Sequence, residues 1–143
     1  MKIGIAGSDK EIQSCFPVMR ELRTHLVAEE FLGRVRTQER SGYRLAFVQT
    51  EAGVVAVAGF RLGENLAWGR FLYVDDLVTA SEFRSKGFGA KLLAWLKERA
   101  VKEGCSQFHL DSGKEKVHAH RFYEREGLAK SGFHFYVKIA SDL

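Results

Sequence analysis

Proline is nearly missing, cysteine is scarce and no apolar run is long, and each deficit removes a class of protein. With one proline in 143 residues, the chain holds no proline-rich linker or polyproline recognition segment. Its two cysteines, Cys15 and Cys105, lie about ninety positions apart and form no C-x-x-C pair. A disulfide framework and a thiolate zinc site are therefore not expected, and a reducing, cytoplasmic setting is. The longest apolar run, Ala52 to Phe60, falls far short of the roughly 20 residues of a membrane span. Met1 to Gly7 runs straight into Asp9, Lys10 and Glu11, which leaves no room for a signal-peptide core. A large charge excess is lacking too. Lys and Arg number 22 against 18 Asp and Glu, a net charge of +4, and acidic residues such as Glu82, Glu98, Glu103, Glu124 and Glu126 are interspersed throughout. The continuous basic face of a dedicated nucleic-acid binder is absent, so neither membrane nor nucleic acid is an expected partner.

What is present is an ordinary globular composition, 45% apolar and 28% charged, in a chain long enough to bury its own core as one domain over 1–143. Lys2 to Ala6 alternates like a strand, and Ser8-Asp9-Lys10-Glu11 has the form of a capping box that opens a helix. Ile12, Phe16, Met19, Leu22 and Leu26 form an apolar stripe in which Pro17 must kink or restart the helix. A further helix is expected from Glu29 to Arg40. The period then changes to two. Arg44 to Thr50, Val54 to Leu62 and Phe71 to Thr79 read as an antiparallel meander with turns at Glu51-Ala52-Gly53 and Gly63-Glu64-Asn65. A helix from Gly87 to Glu103, a strand from Ser106 to Leu110, a helix from Lys116 to Glu126 and a strand from Phe133 to Ile139 complete the order β-α-α-β-β-β-α-β-α-β. The fold class is α+β, helices on both faces of a mixed, mostly antiparallel sheet.

One segment carries chemistry. The strand Tyr73 to Thr79 leads through a short loop into Arg84-Ser85-Lys86-Gly87-Phe88-Gly89-Ala90, a glycine-punctuated turn that opens a helix. Two glycines let backbone amides approach a ligand closely, and the first helical turn supplies further amides and the positive end of the helix dipole. Arg84 and Lys86 add charge-assisted contacts suited to a pyrophosphate. The dinucleotide fingerprint requires a third glycine where Leu92 stands, and the P-loop requires Gly-Lys-Ser or Gly-Lys-Thr, which is missing.

The surviving pattern, R-x-x-G-x-G/A after a strand, resembles the acyl-CoA pyrophosphate turn of the GNAT superfamily of N-acetyltransferases. Ala119-His120-Arg121-Phe122-Tyr123-Glu124-Arg125-Glu126-Gly127-Leu128 is similar to a second segment of that family, A-x-x-F-Y-x-x-x-G-F, at the expected distance. The element order also looks like that fold, so the resemblance spans nearly the whole chain. It implies acetyl-CoA as co-substrate, no metal, and acetyl transfer by direct attack of a primary amine on a small molecule or peptide. It assigns Leu77, Val78 and Thr79 to the pantetheine arm, Arg84 to Ala90 to the pyrophosphate, and Phe122 to the cofactor site. A splay between this strand and the one at Gln107 to Leu110 would open the slot for the arm. Tyr123 matches the tyrosine that faces the CoA sulfur and protonates the departing thiolate.

An arriving ammonium must lose a proton, and a carboxylate on the central strand is the implied base. Asp75 and Asp76 are adjacent and so expected on opposite strand faces. Asp75, nine residues before Arg84, is preferred and Asp76 is the fallback. Three departures stand out: Ala80 to Phe83 lacks a proline common in the family, Leu128 replaces an aromatic, and Ser112 stands near the place of an asparagine that binds pantetheine. Among His25, His109, His118, His120 and His134, no pair has ligand spacing with an acidic or cysteine partner, and no metal site is expected. Glu21, Glu29 and Glu30 favour a cationic acceptor, whereas Arg34, Arg36 and Arg40 favour a carboxylate, and the choice stays open. Two other readings are a non-catalytic acyl-CoA sensor or adaptor, and an acetyltransferase of a protein or an aminoacylated RNA. A homodimer is compatible with the family.

Overall fold

A computed structural model of the chain describes residues 1–140. It resolves into two compact units, Met1–Leu110 and a second that starts at Asp111. The first unit runs β1 (Lys2–Ile5), α1 (Asp9–Ser14), α2 (Phe16–Leu22), α3 (Ala28–Glu39), β2 (Tyr43–Thr50), β3 (Gly53–Asn65), β4 (Gly69–Thr79), a 3-10 turn (Ser81–Phe83), α4 (Phe88–Lys102) and β5 (Gln107–Leu110). The second contains α5 (Val117–Arg125).

The helical start follows its sequence cues. Glu11 N donates to Ser8 Oγ at 3.1 Å and Ser8 N donates to Glu11 Oε1 at 3.0 Å, the reciprocal pair of a capping box. The Ser8 amide, with that of Gly7, holds the Glu11 carboxyl below its ordinary range. Pro17 sits in the first turn of α2, where its missing N–H costs nothing, so the stripe restarts at Phe16 as a separate helix. Two expected helices thus become three short ones.

The strands lie in sequence order, β1-β2-β3-β4-β5. The first four are antiparallel, and β5 returns parallel to β4 after the α4 crossover. One face of the sheet packs Leu45, Phe47 and Val57 against Ile12, Cys15, Met19, Phe31 and Val35 of α1 to α3. The other packs Ala46, Val48, Ala58, Phe60, Leu72 and Val74 against Leu92, Leu96 and Ala100 of α4. The mixed sheet with helices on both faces is the expected class.

Two details depart from expectation. The Gly63-Glu64-Asn65 turn does not form there: β3 continues to Asn65, and Gly63 pairs with Phe71 inside the ladder. A Cβ on Gly63 would lie 2.8 Å from the Phe71 ring, so this glycine makes room for an aromatic rather than for a bend. The expected last strand, Phe133 to Ile139, forms no strand, and Phe133, Phe135 and Ile139 are more than nine-tenths exposed. Its residues have β propensity, but a strand exists only with a ladder partner, and the described part of the second unit offers none.

The register of β4 against β3 carries one more feature. Gly59 pairs with Asp76 and Phe60 pairs with Val74, leaving Asp75 with no partner. This β-bulge inverts the alternation of β4. Before it, Leu72 and Val74 face α4; after it, Val78 joins the core beneath α1 to α3 and Leu77 turns to the α4 side.

Candidate functional site

The bulge decides where the two aspartates go. Adjacent residues on a regular strand point apart, but Asp75 and Asp76 both line one cavity of about 470 Å³, together with Tyr73 of the same strand. The expectation of opposite faces is corrected accordingly. Met19, Leu26, Phe31 and Val35 give this cavity apolar walls, and Arg23, His25, Arg34, Gln38 and Tyr43 give it polar ones.

Each carboxylate is held from a distance in sequence. Asp76 Oδ1 accepts from Arg23 Nε at 2.8 Å and its Oδ2 accepts from the Tyr43 hydroxyl at 2.9 Å. Arg23 Nη2 also donates to the Asp75 carbonyl at 2.8 Å, which ties the end of α2 to the bulge. Asp75 Oδ2 accepts from Arg61 Nε at 2.8 Å, and Arg61 is oriented in turn by Gln38 Oε1 at 2.6 Å and by the Tyr43 ring beneath its guanidinium. Burial raises the Asp75 carboxyl above its ordinary range, and Arg61 opposes that rise without cancelling it. Burial and the neighbouring Asp76 push the Tyr43 hydroxyl strongly upward, so it remains a donor.

Gly59 makes this possible. A Cβ there would collide with the Tyr43 hydroxyl and lie 2.5 Å from Asp76 Oδ2. Arg23, Gln38, Tyr43 and Arg61 were not singled out by any local motif. The one sequence signal was a glycine inside a strand, which marks a bulge or a close approach.

Beyond the bulge, β4 changes its surroundings. Its pairing with β5 ends at Val74↔Leu110, while β4 continues to Thr79. Among the described residues no strand covers that side of Leu77, Val78 and Thr79, which on the other side pair with Ala58, Val57 and Ala56. The ladder stops there because β5 itself ends at Leu110. An extended chain added there would find a strand edge.

That edge leads directly into the Arg84 to Ala90 turn. Ser85 and Gly87 take positive φ, 63° and 85°. Gly87 is the N-cap of α4 and offers no side-chain cap, so the first-turn amides at Phe88, Gly89 and Ala90 meet no capping oxygen from that residue. Nothing lies within 4 Å of where a Gly87 Cβ would sit. Arg84 Nε donates to Thr79 O at 3.2 Å, and Glu21 braces the loop by accepting from Ser81 N at 2.9 Å. Lys86 lies over the Phe83 ring.

In the second unit, Phe122 and Tyr123 follow one another on α5 with ring centroids 5.4 Å apart, and Gly127 follows the helix at φ 94°. Burial raises the Tyr123 hydroxyl. Ser112 is half-buried in the segment before the helix. His120 Nε2 donates to Gly113 O at 2.8 Å and so pins that segment to α5, a positioning contact with no sequence signature. Among the described residues no three of His, Cys, Asp and Glu gather as a metal site, and no helix is long and apolar enough to cross a membrane.

These features coincide with one family. A family model described as Acetyltransferase (GNAT) family matches residues 10–128, and the chain belongs to the GNAT acetyltransferases. Among relatives, Uncharacterized N-acetyltransferase YhdJ of Bacillus subtilis is 34% identical over 117 residues, 81% of this chain and 82% of that one. An aminoalkylphosphonate N-acetyltransferase of Salmonella typhimurium is 33% identical over 94 residues, 65% of this chain and 60% of that one. The crystal structure of a glucosamine-6-phosphate N-acetyltransferase from Arabidopsis thaliana is similar with a TM-score of 0.78 at 19% identity, over 98% of this chain and 100% of that one. A ribosomal-protein-alanine N-acetyltransferase from Brucella melitensis reaches a TM-score of 0.82 at 15% identity, over 97% and 100%. One fold thus serves named acceptors as different as a sugar phosphate and a ribosomal protein, and the acceptor must be argued from the site.

Proposed function

We propose that this chain transfers an acetyl group from acetyl-CoA to the primary amine of a small molecule, by direct attack in a ternary complex. The observation that carries the reading is the course of β4. It delivers two carboxylates to an apolar-walled cavity, then presents an unpaired edge at Leu77 to Thr79, and then enters the Arg84 to Ala90 turn. Acetyl-CoA supplies a thioester carbonyl and a thiolate leaving group. In this reading the edge holds the pantetheine arm by main-chain hydrogen bonds. The amides from Gly87 to Ala90, with Arg84, Ser85 and Lys86, hold the pyrophosphate, and Ser112 and Phe122 complete the cofactor contacts.

Asp75 takes the proton from the incoming ammonium, directly or through a water. Its raised pKa suits that task, because a base is most effective when its pKa approaches the working pH. Asp76, held by both Arg23 and Tyr43, fixes the floor of the cavity and is the weaker candidate for base. Tyr123 gives its proton to the sulfur as the C–S bond breaks and the C–N bond forms. A phenol is protonated at neutral pH by its ordinary pKa of about 10, and burial raises Tyr123 further in the same direction.

A covalent acetyl-cysteine route has no support at the cavity. No cysteine lines it, and Cys15 is fully buried with its thiol pushed up to about 12. A cavity of this size suits a small acceptor. The test is a thiol-release assay with acetyl-CoA and a panel of amines, amino acids and short peptides, alongside calorimetry with CoA. Turnover of a small amine is expected. Tight CoA binding with no turnover of any amine would instead identify an acyl-CoA sensor.

A further inference from the structure

We propose that the acceptor carries an anionic group, a carboxylate or a phosphonate, in addition to its amine, and that Arg34 binds that anion. The inference rests on the acetyl-transfer reading and adds its substrate class.

The argument is a charge balance around one cavity. Two carboxylates line it, and both are matched: Asp75 by Arg61 and Asp76 by Arg23, each at 2.8 Å. A further guanidinium lines the same cavity, that of Arg34. It makes no hydrogen bond or ion pair with any described residue. Arg34 is exposed, yet it stands on the cavity side of α3: Phe31, Arg34, Val35 and Gln38 recur at three- and four-residue spacing and all four line the cavity.

The neighbouring charges do not supply a partner. Arg36 is occupied by Asp9 at 2.6 Å and Glu39 at 2.9 Å, and Arg40 is not part of the lining. Glu29 and Glu30, which the sequence suggested as acidic attraction for the acceptor, are exposed in the first turn of α3 and line none of this cavity; Glu30, one turn before Arg34, shares a shallow outer depression with it but makes no ion pair to it. Glu21 is turned to Ser81 and Arg84. His25, at the rim, adds two ring nitrogens with no partner among the described residues.

A plain monoamine would therefore enter as a cation beside a guanidinium that holds no ion pair with any described residue. An amine that also carries an acid presents its ammonium to Asp75 and its anion to the guanidinium fork, which receives carboxylate or phosphonate oxygens two at a time.

The experiment compares matched acceptors: β-alanine against n-propylamine, and 2-aminoethylphosphonate against ethylamine. In thiol release with acetyl-CoA, the wild-type chain is expected to prefer at least one acidic member by about tenfold or more in kcat/KM. The larger preference names carboxylate or phosphonate as the anion. In Arg34→Gln that preference falls toward unity, and in Arg34→Lys part of it returns. Equal rates for both members of each pair, or a preference untouched by Arg34→Gln, overturn the anion site and leave acetyl transfer standing. If none of the four releases thiol, acetyl transfer to small amines is what fails. Calorimetry of 2-aminoethylphosphonate and β-alanine with the CoA-saturated protein then decides the site: binding of either that is lost in Arg34→Gln supports it, and no binding of either overturns it.

Discussion

The turn that opens α4 and the cavity lined by α2, α3 and β4 are built from opposite materials. The turn is main chain: positive φ at Ser85 and Gly87, uncapped amides at the head of α4, and a bare strand edge leading into it. The cavity is side chain: Arg23, Arg61, Tyr43 and Gln38 close on two aspartates that a bulge has turned to one side. Main chain offers the same amides whatever the residue, so it suits a ligand that does not vary. Side chains change with each substitution, so they suit the partner that does. Within one family the first arrangement can stay while the second is rebuilt for another acceptor.

If that division is right, substitutions should separate the two halves of the reaction. The largest effect is expected from Asp75→Asn, which removes the proposed base. It should lower kcat by about 10²- to 10⁴-fold while CoA affinity by calorimetry stays within error of the wild type. A similar loss of CoA affinity would dissolve the separation.

Gly87→Val forces a β-branched residue to φ 85°, a strain of about 1–3 kcal/mol that the turn relieves by moving its amides. Binding of CoA should weaken by about 10- to 100-fold on that scale, measured by titration, with the melting temperature little changed.

Gly59→Ala strikes the cavity from beneath. The new methyl meets the Tyr43 hydroxyl, and Tyr43 and Asp76 must part. A destabilisation of about 1–3 kcal/mol in urea unfolding is expected, with kcat reduced and CoA binding retained.

The smallest effect is a shift in pH. Asp75 is already raised by burial and partly restrained by Arg61. Its carboxylate is therefore lost, as pH falls, at a higher pH than that of an exposed aspartate. The acid limb of kcat should lie above the ordinary carboxylate range of about 4. Arg61→Gln removes the restraint, so the limb should move higher still. A downward shift would contradict the assignment of Asp75 as base.

The two regions also differ in how far they can be read without coordinates. The turn is legible because its glycines, its arginine and its helix are contiguous, and each has a local physical reason. The Ser8 to Glu11 cap, the restart at Pro17 and the meander were legible for the same cause. The cavity is not, because Arg23 reaches Asp76 across 53 positions and Tyr43 reaches it across 33. The bulge at Asp75 is a mismatch between two strands, and neither strand alone contains it. Phe133 to Ile139 fails in the other direction: its residues are fit for a strand, and only pairing would make it one.

The most direct test of the central claim is product analysis by mass spectrometry on the purified chain. It is incubated with acetyl-CoA and, one at a time, n-propylamine, β-alanine, 2-aminoethylphosphonate and lysine, with released thiol counted in parallel. The account predicts an N-acetylated amine formed in step with thiol release from at least one of the four, and its loss in Asp75→Asn. Saturable CoA binding with no acetylated product from any of them would contradict it.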